Sequence, residues 1–131
     1  MNRQTLHIHN RIHRAFKSQP VTMGIPWPQG VFRDVSEFVA SDENGKNMPC
    51  SFSVLSRWKD GSIQWALADL PVDLQPSGNR TITFSPSPGD AKKSVPEEPV
   101  VVANRDGVVT AGNGLVEMIF SAEKGMLVKS W

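Results

Sequence analysis

The chain contains no tyrosine and a single cysteine, and its 14 basic residues almost cancel its 13 acidic ones. Each shortage excludes something. Without tyrosine there is no phenol to act as a base. With Cys50 alone no internal disulfide can form, and a reducing compartment is acceptable. No stretch approaches the ~20 consecutive apolar residues of a membrane-spanning helix. A net charge of +1 supplies no field to recruit nucleic acid or an anionic membrane. The first segment holds Arg3, His7, His9, Arg11, His13 and Arg14 but no apolar signal-peptide core, so the expectation is a cytoplasmic protein. Gly-rich phosphate loops, nucleophile elbows and zinc-ligand spacings are missing too.

What is present is turn chemistry. Ten glycines and ten prolines in 131 residues punctuate short apolar or alternating runs. These are Val31-Phe32, Glu37 to Ala40, Ser51 to Leu55, Ser62 to Leu70, Arg80 to Phe84, Val100 to Ala103, Val108-Val109 and Leu115 to Phe120. Between them stand Asp42-Glu43-Asn44-Gly45, Lys59-Asp60-Gly61, Ser77-Gly78-Asn79, Arg105-Asp106-Gly107 and Asn113-Gly114, each a hairpin or turn signal. Such spacing predicts an all-β barrel or sandwich. From Thr5 to Lys17 the pattern fits both a strand, with Leu6, Ile8, Ile12 and Phe16 on one face, and a helical stripe. The β surroundings favour the strand.

Residues 85–99 carry Pro86, Pro88, Pro96 and Pro99 with few apolar side chains, which reads as a linker or long surface loop. The chain then divides into a β domain over 1–84, the linker over 85–99, and a short β tail over 100–131. The tail cannot build a core alone, so it is expected to pack on the barrel or to open a further domain, with Lys129-Ser130-Trp131 ending the chain abruptly. A linker of this composition is expected to be the most mobile internal segment.

Two motifs stand out. In Gly24-Ile25-Pro26-Trp27-Pro28-Gln29-Gly30, the prolines fix their own φ and push Ile25 and Trp27 out of the helical region. The segment is a stiff extended rod. Its indole can plug a barrel mouth or neighbouring domain, or offer a stacking platform to a sugar. In Trp58-Lys59-Asp60-Gly61-Ser62-Ile63-Gln64-Trp65, Lys59-Asp60-Gly61 suits a three-residue hairpin loop closed by a left-handed glycine. That register pairs Trp58 with Ser62, Leu55 with Trp65 and Ser53 with Leu67. Both faces of the hairpin are largely apolar, so both are expected to be covered, with Trp58 and Trp65 as packing residues.

These motifs, with Arg33-Asp34 between them, resemble the N-terminal RIFT-barrel domain of exo-rhamnogalacturonan-lyase-like proteins over roughly residues 5–85. The tail, with Asn113-Gly114-Leu115-Val116 and Lys124-Gly125-Met126-Leu127, is similar to the stretch leading into that family's central domain. The resemblance implies a small six-stranded RIFT-type barrel, preceding an α-helical toroid that carries lyase chemistry.

A lyase needs a base and a cation to neutralise the uronate carboxylate, and a glycoside hydrolase needs two facing carboxylates. Here Asp42, Glu43, Asp60 and Asp106 sit in turns, Glu97-Glu98 in the linker, and Arg33 beside Asp34 reads as a local ion pair or turn contact. His7, His9 and His13 share a strand face with Arg11, which would repel a metal. The expectations are no catalytic residue, no metal and no cofactor. The chain reads as a non-catalytic structural or interdomain module, its partner being its own downstream catalytic domain. The alternatives are a carbohydrate-binding module placing a pectic oligosaccharide on Trp27, Arg33 and Trp58, and, against the charge, a barrel stacking single-stranded nucleic acid.

Overall fold

The computed structural model describes residues 2–87, 99–114 and 116–121. Most of the 85–99 linker, the Glu97-Glu98 pair, Leu115, Lys124 to Leu127 and the Lys129 to Trp131 end lie outside the described residues. The chain forms two compact units, Met1–Ser94 and Val95–Trp131.

The first unit contains strands β1 (Gln4–His9), β2 (Phe16–Pro26), β3 (Phe38–Ser41), β4 (Ser51–Arg57), β5 (Ile63–Leu74) and β6 (Asn79–Pro86), with one short 3-10 turn, Val35–Glu37. They pair antiparallel in two three-stranded sheets, ordered β1-β6-β3 and β2-β5-β4. The all-β class follows directly from the period-2 patterning. Along β5, Ala66, Ala68, Leu70, Val72 and Leu74 alternate inward while Trp65, Asp69 and Asp73 face out. The inward residues of both sheets meet in one core with Ile25, Trp27, Phe32, Phe38, Ile63, Ile82 and Phe84.

Three details depart from the sequence reading. First, the 5–17 segment is not one strand. β1 stops at His9 because Asn10 is buried and ties the connection down. Its side-chain amide donates to the carbonyls of Arg14 and Gln75, both at 2.8 Å, and its backbone N–H to that of Gly78 at 2.9 Å. Ile12 is left exposed, and His13 reaches Ser77 at 2.9 Å instead of joining a face with His7 and His9. Second, Val31-Phe32 forms no strand, while β2 begins well before the Gly24 motif. Pro20 and Pro26 argue against a central strand, but β2 is an edge strand of its sheet, where a missing ladder donor is tolerated. Third, β6 continues through Ser85 and Pro86, and the Ser87 N–H donates to the Glu37 carbonyl at 2.7 Å.

The second unit, described by itself, is an antiparallel meander of β7 (Val101–Arg105), β8 (Val108–Gly112) and β9 (Glu117–Ser121). Its first turn places Asp106 at φ 51° and Gly107 at φ 80°, the left-handed pair expected of an Asp-Gly hairpin.

Candidate functional site

The hairpin motif forms much as its turn chemistry dictates. Gly61 sits at φ 82°, its N–H donates to the Trp58 carbonyl at 3.0 Å, and the Trp58 N–H donates to Ser62 O at 2.8 Å. Ser53 pairs with Leu67, as the three-residue loop requires. Between these points the ladder is irregular. Trp65 lies opposite Ser56 and not Leu55, and the register is restored where Arg57 meets Ile63. One residue is thus left over on each strand, Leu55 on β4 and Gln64 on β5. Bulges of this kind twist a strand locally, and here the distortion lets Ile63 turn into the core while Trp65 faces outward.

The Gly24–Gly30 motif docks on that hairpin. The Trp27 backbone N–H donates to Gln64 O at 2.9 Å, and the Trp27 carbonyl accepts the Trp58 indole N–H at 3.0 Å. Gly30, at φ 80°, donates its N–H to Ser62 Oγ at 2.8 Å. The Ile63 N–H then reaches Phe32 O at 2.7 Å. Arg33 Nη1 donates to Asp60 O, while Arg57 Nη1 donates to the carbonyls of Arg33 and Gly61, each at 2.8 Å. The two signature motifs are therefore the two halves of one hydrogen-bonded clasp.

This geometry decides the candidate binding residues. Trp27 is 2% exposed, set edge-on to Phe32 at 4.6 Å and tilted against Phe38 at 5.1 Å. A stacking role for Trp27 is excluded, because its ring faces are consumed by the core. Trp58 is half-buried, its indole N–H committed to Trp27. Arg33 is exposed, and its guanidinium spans to the hairpin turn instead of pairing with Asp34. Asp34 caps the 3-10 turn, accepting from Ser36 N at 2.8 Å, while Glu37 Oε1 accepts from the N–H groups of Arg33 and Asp34. Trp65, expected as a packing residue, is 43% exposed and stands outside the core of the first unit, so alanine there does not open a core cavity.

The remaining acids hold turns. Asp42 accepts from the N–H groups of Asn44 and Lys46, both at 2.9 Å, and Glu43 forms an ion pair with Arg80. Asp60 accepts from Ser62 Oγ at 2.5 Å and Ser62 N at 3.0 Å. These bonds, the hydroxyl's foremost, hold the Asp60 carboxyl below its ordinary 3.8. Its contribution to stability is present above that value and is lost as pH falls through the lower folded-state pKa. His7 meets Thr81 Oγ1 at 3.2 Å and His9 meets Asn79 Oδ1 at 2.5 Å. Among the described residues no group of three His, Cys, Asp or Glu side chains converges on a metal site.

Ser62 is the residue that sequence reasoning passed over. It is fully buried, accepting from Gly30 and donating to Asp60, and its place after a turn glycine was the available signal. Ser62→Ala leaves the Gly30 N–H without its acceptor and is expected to cost about 1–3 kcal/mol. It should also return the Asp60 pKa toward its ordinary value. Carboxyl chemical shifts followed against pH test this, and an unchanged Asp60 titration would rule out the hydroxyl as the cause.

No curated protein matches the chain. Residues 4–84, the two sheets with the clasp between their motifs, match the PcRGLX-like N-terminal RIFT barrel domain. By that match the chain belongs to the PcRGLX-like N-terminal RIFT barrel family, the N-terminal barrels of rhamnogalacturonan-lyase-like proteins.

Proposed function

We propose that this chain is a non-catalytic module with a structural, interdomain role in a longer polysaccharide lyase acting on rhamnogalacturonan. The observation that carries the reading is how the family motifs are spent. Trp27, Trp58, Arg33, Asp60 and Ser62 lock one segment of the barrel to another, and Asp34, Asp42 and Glu37 hold turns. An elimination needs a base aimed at a carbon beside a neutralised carboxylate, and groups committed to backbone partners are poorly placed for it. In this reading the barrel runs to the end of β6 at Pro86, the following residues to 99 join it onward, and 100–131 open the next domain, the catalytic partner being the chain's own downstream domain.

Elimination products absorb in the near ultraviolet, so the test is direct. The purified chain incubated with rhamnogalacturonan should produce no rise in absorbance. Unsaturated product that disappears in His7→Ala or His9→Ala would overturn the proposal. A second reading, a carbohydrate-binding module, is favoured by one observation: a tryptophan of the hairpin motif, Trp65, stands half-exposed on an outer sheet face.

A further inference from the structure

Most of the aromatic motif residues are consumed by the clasp or the core; Trp65 is not. Gly24 explains how it is seated. A Cβ at Gly24 would lie 3.2 Å from Trp65 Cε3 and 3.4 Å from Cζ3, so the benzo ring of the indole rests directly on the Gly24 backbone. A side chain at position 24 would have to push the indole aside by a few tenths of an ångström. The benzo ring is thus against the sheet, while the residue as a whole is 43% exposed.

The cross-strand register defines what surrounds it. Directly paired residues of an antiparallel sheet share a face. Pro26 pairs with Trp65, Gly24 with Leu67 and Thr22 with Asp69 on one side of β5. Ser53 pairs with Leu67 and Ser51 with Asp69 on the other. Thr22, Ser51 and Ser53 are exposed, and Thr22 Oγ1 donates to Asp69 Oδ1 at 2.5 Å. Around Trp65 the face is therefore an indole beside hydroxyls and the Asp69 carboxylate, with Asp73 further along β5.

We propose that this outer face of β2-β5-β4, centred on Trp65, binds an uncharged pyranose ring of an oligosaccharide. The proposal rests on the reading of the chain as a module of a carbohydrate-active protein. A pyranose has an apolar C–H face that stacks on an indole and equatorial hydroxyls that exchange hydrogen bonds with Thr22, Ser51, Ser53 and Asp69. A protein partner fits less well, because the cores of protein interfaces are depleted in serine and aspartate. The single formal charge in these three rows is the Asp69 carboxylate, which repels a uronate and accepts from a neutral sugar's hydroxyls. The ligand class is thus a neutral sugar.

The test uses the chain with β-1,4-galactotetraose and, separately, tetragalacturonate as probes. Indole and backbone N–H resonances are followed during each titration. Galactotetraose should shift the Trp65 indole and the Thr22 and Ser53 amides. Trp65→Ala should weaken binding about ten-fold, the loss of one aromatic stacking contact, while thermal melting shows the variant folded. Trp65→Phe, which keeps a ring over Gly24, should bind at an intermediate level and covers the case in which alanine impairs folding. Tetragalacturonate should bind more weakly, and Asp69→Asn should narrow that gap. No shift at Trp65, full binding in Trp65→Ala, or equal affinity for the uronate would overturn the proposal. None of these results bears on the absence of turnover, which the absorbance assay measures separately.

Discussion

Replacing Trp27 by alanine should destabilise the first unit by about 3–5 kcal/mol, the range for a large aromatic removed from a packed core. Small domains have only about 5–15 kcal/mol to lose, so the variant should melt far below the parent or fail to fold. The backbone bonds that Trp27 makes to Gln64 and Trp58 survive the substitution, and the deficit is one of packing. The ring touches Phe32 and Phe38, and Phe38 in turn meets Phe52 at 4.8 Å, so a void at position 27 cannot close without moving several aromatics. Trp27→Phe supplies the control. The Trp27 indole N–H is buried without a hydrogen-bond partner among the described residues, and phenylalanine removes that unpaired group along with part of the ring. It should therefore cost clearly less than alanine. Urea unfolding of the two variants decides the matter, and a Trp27→Ala protein with the parent's midpoint would refute the buried assignment.

Cys50 should resist alkylation in the folded chain. Burial, and then the nearby Asp69 carboxylate, push its thiol up to about 12. Since the thiolate is the nucleophile, its reaction with iodoacetamide at pH 9 should be slower than that of an unfolded control by several hundred-fold, an order-of-magnitude figure. Asp69→Asn should raise the rate by removing the charge contribution. The same shift makes a statement about stability. The folded-state pKa lies above the unfolded value of 9.0, so the stabilisation is complete below pH 9 and is lost as pH rises toward the folded pKa. Alkaline conditions should thus loosen the end of the sheet where Cys50 lies beside Phe38, Met48 and Phe52. Labelling at the unfolded rate under native conditions would contradict the burial of the thiol.

The strands were legible because their signal is local. Alternation in β1 and β5, an Asp-Gly turn between β7 and β8, and Lys59-Asp60-Gly61 closing the β4–β5 hairpin depend on near neighbours in the chain, and the structure reproduces each. The motif pair was equally legible as a marker of the RIFT barrel family. What the two motifs do to one another was not, because the bonds from Trp58 to Trp27 O and from Gly30 to Ser62 Oγ join residues about thirty positions apart.

The sequence by itself determined an all-β chain, the places where it turns, and the pairing of β4 with β5. Tertiary structure alone decided which side of that pairing is inside. Alternation separates residues into two faces but carries no sign when both are apolar. The core accepted the face bearing Ala66 and Ala68, whose small side chains share it with Trp27, Phe38 and Phe52. The larger Trp65 was left on the outside, where Gly24 on the neighbouring strand leaves room for its ring.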